Sequence, residues 1–256
     1  MFDWLHHFPD IIILPLIVFP IVIAQLVIRW FCHKYFLSGQ TTNPLLFDSI
    51  GAMTVALSLI LGLAFVEAKT TYKNVQMMIS NEASQLNNLD NIITKMNEPE
   101  FKEIHKDLIM YTQSLIEDEW PALTKGSGSE RTRRLLNPIT KSIYTYRPQS
   151  QHDQVIYEKI ISLTVDLMQS RQQIIQSADI KLDRIFWLTI LTTLFIIFVA
   201  ISFTHYSTLN IVMNFFYVAL IASLIAFIFI FDEPFKGSSK ISFAPIQKVL
   251  HYMQVR

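Results

Sequence analysis

The sequence predicts an all-α membrane protein with four transmembrane helices, the second and third extended into a cytoplasmic helical stalk. Three observations carry this. The 256 residues are 51% hydrophobic and only 16% charged, with nineteen Phe and six Gly, whereas soluble domains are about a quarter charged. Apolar runs at 11–31, 48–67, 185–203 and 211–231 are each long enough to cross a bilayer as a helix. Between the second and third runs, residues 69–184 hold fifteen Lys/Arg and fifteen Asp/Glu, so the zero net charge hides a segregated polar domain. The expected division is 1–68 for the first two membrane helices, 69–184 for the stalk, 185–231 for the last two membrane helices, and 232–256 for a tail with a short amphipathic helix.

Residues 1–9 contain no Lys or Arg, so no secretory signal is expected. Trp4 and Phe8 read as interfacial anchors. The first span carries Pro15 and Pro20, each of which removes a backbone donor and bends the helix. Gln25, its lone strongly polar residue, is expected to face another helix. Arg29, His33 and Lys34 mark the exit, and 38–47 form a loop. The single Cys32 excludes an intramolecular disulfide and a cysteine zinc site, and reads as inert.

The stretch from Asp48 to about Met96 has no proline and no strong break, and reads as one rod, half in lipid and half in water. Beyond Glu67, Val75, Ile79, Leu86, Leu89, Ile93 and Met96 recur at three and four, a buried helical stripe. Glu82 stands in that stripe where an apolar residue is expected. Within the span, Ala52 with Ala56 and Ser58 with Gly62 place small residues four apart, which lets helices approach closely in lipid. Packing inside one subunit explains this face; so does a central pathway in an oligomer, lined through Gly51, Thr54, Ser58 and Gly62.

Asn97–Glu100 reads as a turn, then a helix with Pro99 in its first turn, apolar through Phe101, Ile104, Leu108, Tyr111 and Leu115 to Trp120. Pro121 and Lys125–Ser129 close it. A shorter helix at 130–145 is expected to break or restart at Pro138. Its Arg131, Arg133 and Arg134 read as a solvated face, or as an anion site. From about Gln149 a second rod begins, with Ile156, Ile160, Leu163, Leu167, Ser170, Ile174, Ala178 and Leu182 as its stripe, expected to run unbroken into the third span. The link at 204–209 turns the chain into the fourth span, which Asp232-Glu233-Pro234 closes. In the tail, Ile246, Val249, Leu250 and Met253 share a helix face that lies in the headgroup layer or docks on the stalk.

Four spans place both termini and 69–184 on one side. Lys69, Lys73, Lys181, Arg184, Lys236 and Lys240 lie near the spans there, against Arg29 and Lys34 opposite. The positive-inside rule then puts the stalk and both termini in the cytoplasm of a multi-pass membrane protein. Glu82 lies fourteen residues past Ala68, and Arg171 fourteen before Ile185. At about 1.5 Å per residue both stand ~21 Å from the membrane, so an ion pair between them inside the stalk is expected, setting register more than adding stability.

No catalytic constellation, Gly-rich phosphate loop or nucleophile elbow is present in the sequence. Histidines such as His105, between Glu103 and Asp107, lack metal-ligand spacing on a helix face and read as ordinary surface or interfacial residues. Neither an enzyme, nor a cofactor, nor a metal, nor a nucleic-acid partner is expected. Glu67 and Asp232-Glu233 close spans on one side. They read as headgroup-level charges paired with nearby lysines, or as an acid ring at a pore mouth.

Gly62-Leu-Ala-Phe-Val-Glu-Ala-Lys69 with Tyr72, Asn81-Glu82-Ala83, the Ser170-Arg171 region, and Phe231-Asp-Glu-Pro-Phe-Lys-Gly237 with Ile241-Ser242 and Pro245 form a recognisable set. Over roughly 45–250 the chain resembles a bacterial family of four-span membrane proteins labelled bestrophin-like. That resemblance implies a homo-oligomeric ion channel with its pore on the subunit axis and a helical cytosolic vestibule. The Arg-Phe-Pro-Asn-Glu passage of true bestrophins and their aromatic neck pattern are not found, so neither chloride selectivity nor calcium gating is carried over.

Two functions follow as expectations. In the first, the protein assembles with itself in the lipid bilayer and passes inorganic ions along the second span, past Thr54, Ser58, Leu61, Gly62, Phe65 and Glu67, with Asp232 and Glu233 at the inner mouth. Four spans are too few for a roomy pore within one subunit, so this reading requires oligomers. In the second, it is a non-conducting scaffold or sensor whose stalk binds a partner protein.

Overall fold

A computed structural model describes residues 8–35, 44–96, 98–204 and 207–256. Every regular element among them is helical: α1 (Asp10–Tyr35), α2 (Pro44–Ile93), α3 (Pro99–Ser114), a π-helical turn (Leu115–Glu119), α4 (Trp120–Leu123), α5 (Glu130–Thr145), α6 (Gln151–Ser177), α7 (Arg184–Ser202), α8 (Thr208–Asp232) and α9 (Ala244–Val255). Four of them, α1, α2, α7 and α8, are long and apolar enough to cross a membrane. The chain forms two compact units, Met1–Tyr72 with Lys181–Lys240, and Lys73–Ile180 with Ile241–Arg256. Trp4, His6, His7 and His205 lie outside the described residues.

The first unit holds α1, the N-terminal part of α2, α7 and α8. Its core joins Val22, Leu57, Leu61, Ala64, Ile190, Leu194, Ile197, Val218 and Ile225. Outward faces carry exposed Leu59, Leu63, Val66, Leu188, Phe195 and Leu220, the arrangement lipid tails tolerate and water does not. Gln25 is buried, as expected of a polar residue facing another helix. Helix α1 is continuous through Pro15 and Pro20.

The second unit shows the expected stripe in full: Val75, Ile79, Leu86, Leu89, Ile93 and Met96 are buried, and so is Glu82. Helix α3 buries Phe101, Ile104, Leu108 and Tyr111. Helix α5 starts where the Ser129 side chain accepts from the Thr132 N–H, as an N-cap should. It runs unbroken through Pro138, so the expected restart there does not occur. Leu136, Ile139 and Ile143 on either side of the proline are buried, and their packing outweighs one lost backbone bond. Helix α9 docks on the helices of its own unit rather than lying free: Thr112 Oγ1 is 3.6 Å from Met253 Sδ, and the Phe243 and Trp120 ring centroids are 5.0 Å apart.

One expectation of the second rod fails. The stripe from Ile156 does not continue helically into the third span; α6 ends at Ser177 and α7 starts afresh at Arg184. The cause is local. The Leu182 N–H, which a continuous helix would spend on its own ladder, donates instead to Asp232 Oδ1 at 2.6 Å. Asp183 then caps α7 by accepting from the Ile185 N–H.

Candidate functional site

The candidate pathway face lies on α2 within the first unit. Its side chains divide by helical angle. Leu61 is buried in the subunit's own core, so the expectation that it lines a path is corrected: a residue enclosed by α2's neighbours presents nothing to a pathway outside them. Thr54 is half-buried, donates to the Ile50 carbonyl at 2.7 Å and therefore accepts from Tyr217 Oη at 2.7 Å. It ties α2 to α8. Phe65 is partly exposed and sits edge-on to Phe231, centroids 6.4 Å apart. Ser58, Gly62 and Glu67 are exposed. A Cβ built on Gly51 or Gly62 would meet nothing within 4 Å, so neither glycine is needed for contact with another helix of the same subunit. Ser58 satisfies its hydroxyl on the Thr54 carbonyl at 2.8 Å, which lets a polar residue stand on this face without a partner helix.

The two acids ending α8 are occupied. Asp232 accepts from the Leu182 N–H, and Glu233 pairs with Lys181 at 2.6 Å and Lys236 at 2.9 Å. For Glu233 this is the expected pairing with nearby lysines, Lys181 and Lys236. Beside them, Lys69 Nζ lies 4.0 Å from the Phe231 ring centroid and 5.1 Å from that of Tyr72, a cation–π seat. Tyr72 donates its hydroxyl to the Ser239 carbonyl at 2.9 Å. The Gly62–Tyr72 and Phe231–Gly237 passages noted in the sequence thus meet in one cluster.

In the second unit the expected Glu82–Arg171 pair takes another form. Arg171 Nη2 lies 2.9 Å and 3.0 Å from the two oxygens of Glu119. It also donates to the Ser129 carbonyl at 3.2 Å, while the Ser129 N–H donates to Glu119 Oε2 at 2.7 Å. The ion pair therefore grips both sides of one peptide residue, the N-cap of α5. Glu82 lines the same small cavity, about 10 Å³, with Ile79, Leu115, Glu119, Trp120, Arg171 and Ile246. Its Oε1 is buried with no hydrogen-bond partner among the described residues. Burial first, and the Glu119 charge second, push its carboxyl up to about 8, against a smaller opposing pull from Arg171. Glu82 belongs to the second unit, which begins at Lys73.

Sequence reasoning missed Glu119, the last of three consecutive acids. The π-helical turn brings it inward: the Trp120 N–H reaches back five residues to the Leu115 carbonyl, and Glu119 is buried while Glu117 and Asp118 are not. Also missed was Asp90, fully buried, with His105 Nδ1 at 2.8 Å and Arg256 on its other oxygen. His105 is accordingly a positioned partner rather than an ordinary surface residue.

The helices, their lipid-compatible faces and the polar second unit define a four-span helical membrane protein. A family model described as a Bestrophin-like domain matches residues 16–246, and the chain belongs to that family. Its fold is similar to a crystal structure of a bacterial bestrophin homologue from Klebsiella pneumoniae, a point variant, with TM-score 0.65 at 14% identity over 96% of this chain and 99% of that one. A second variant of that homologue gives TM-score 0.60 at 14% identity, covering 96% and 98%. A crystal structure described as a membrane protein gives 0.64 at 12% identity, covering 96% of both chains. No curated protein matches the sequence.

Proposed function

We propose that the chain is one subunit of a homo-oligomeric ion channel of the bacterial inner membrane, with the stalk and both termini cytoplasmic. The path would run along the open face of α2, over Gly51, Ser58 and Gly62, past Phe65 to Glu67. The observation that carries this is the contrast between the two sides of α2. One side is closed by the subunit's own core through Leu57, Leu61 and Ala64; the other presents small and polar groups with open space at both glycines. A polar-dotted, small-residue helix face is costly against lipid and useful around a shared axis. Membership of the bestrophin-like family supports the same reading. With Asp232 and Glu233 paired inside the subunit, Glu67 is the acid left to act at the mouth.

The test is ion flux into liposomes containing the purified oligomer, with K⁺ and Cl⁻ gradients imposed separately and Glu67→Gln alongside. Selective flux changed severalfold by Glu67→Gln is the expected result. No flux from a well-folded oligomer would replace the channel by a scaffold or sensor and turn attention to partners of the stalk.

A further inference from the structure

At one cavity of the second unit, two carboxylates face a single cation. The cavity is lined by Glu82 from α2, Glu119 from the π-helical turn and Arg171 from α6, while α9 contributes only the apolar Ile246; the buried Tyr111 of α3 feels the charges of all three polar groups. Arg171 is committed to Glu119 and to the Ser129 carbonyl. Glu82 is 3% exposed, and both its Oε1 and the hydroxyl of fully buried Tyr111 have no hydrogen-bond partner among the described residues. A buried charge with no cation of its own is far less stable than the neutral acid. The cavity has room for about one water.

We propose that Glu82 is a proton-binding site that controls the stalk: neutral Glu82 leaves Arg171 on Glu119 and Ser129, and ionised Glu82 draws Arg171 away and releases the 124–129 loop. Glu82 gives up its proton to bulk solvent and becomes a carboxylate with a negative charge. The sole cation lining the cavity among the described residues is Arg171, so it must then be shared between two carboxylates. The Ser129 carbonyl loses its donor, and the N-terminus of α5 loses the clamp that fixes its cap. The direction in which burial and Glu119 move the Glu82 carboxyl agrees with this. The proposal stands whether or not the protein conducts ions, and its test contains no flux measurement.

Infrared difference spectra of the full-length oligomer in lipid should show the carbonyl band of a buried, protonated carboxyl that disappears with a midpoint near 8. Glu82→Gln, which has the shape of the neutral acid, should remove that band and assemble normally. Hydrogen exchange of peptides covering 124–132, corrected for its intrinsic pH dependence, should accelerate roughly tenfold as Glu82 ionises. The Glu82→Gln protein should stay protected throughout. A band that survives in Glu82→Gln, or exchange that responds to pH equally in both proteins, would overturn the proposal. Failure of both Glu82→Gln and Glu82→Met to fold would overturn it too, because it would show that the charge itself is required.

Discussion

The end of α8 in the first unit and the Glu82 cavity in the second handle their carboxylates in opposite ways. At the end of α8, Asp232 takes a backbone N–H and Glu233 takes two lysines. Donors there match or outnumber the charges they serve. In the second unit, Glu82 and Glu119 face a single guanidinium, and one acid goes without. The first arrangement fixes a corner of the chain and has nothing left to respond with. The second leaves one group whose charge state the surroundings decide. A surplus acid in a dry site is a point of control, and a fully satisfied one is a fastening.

The largest expected effect strikes the second unit. Arg171→Met strands Glu119, already buried, and should cost roughly 3–5 kcal/mol, read as a lowered unfolding midpoint of the detergent-solubilised protein. Adding Glu119→Gln should recover much of the loss, whereas adding Glu82→Gln should recover little, since Glu82 is neutral to begin with. Equal rescue by both would erase the distinction between the two acids.

Next comes pH. The Glu82 carboxyl is raised on folding from 4.5 to about 8, so the folded chain binds the extra proton between those values. Its stabilising contribution is whole below pH 4.5 and declines as pH rises towards 8, by as much as a few kcal/mol at about 1.4 kcal/mol per unit. The difference in stability between wild type and Glu82→Gln, followed by denaturation across that range, should show this slope. A pH-independent difference would place the proton elsewhere. Smallest is the effect in the first unit: Asp232→Ala frees the Leu182 N–H and should cost about 1–3 kcal/mol. A larger loss than that of Arg171→Met would reverse the ranking of the two units.

The sequence made the architecture readable because lipid and heptad-like stripes both leave periodic marks. Glu82 was legible for that reason, as a charged residue in an apolar register. Glu119 was not, because a π-helical turn has no periodicity of its own and turned one acid out of three inward. The break between α6 and α7 was hidden by apolar residues that keep helical spacing across it, and only the Asp232–Leu182 bond reveals why the helix stops. Leu61 and Gly62 differ by about 100° around the same helix, which sequence could not assign to core or open face without the neighbouring helices. The α9 face fits a headgroup layer and a protein surface equally well by composition; Met253 against Thr112 decides for protein.

The π-helical turn at Leu115–Glu119 makes this chemistry depend on residue count as well as residue type. Removing any one residue from 115–118 would let the segment close as ordinary α-helix and rotate everything after it by about 100°. Glu119 would then leave Arg171 although neither side chain had changed. A relative aligned with a one-residue gap here would keep the letters of the site and lose its function, so insertions and deletions in this turn are the variation to read first when the chain is compared across species.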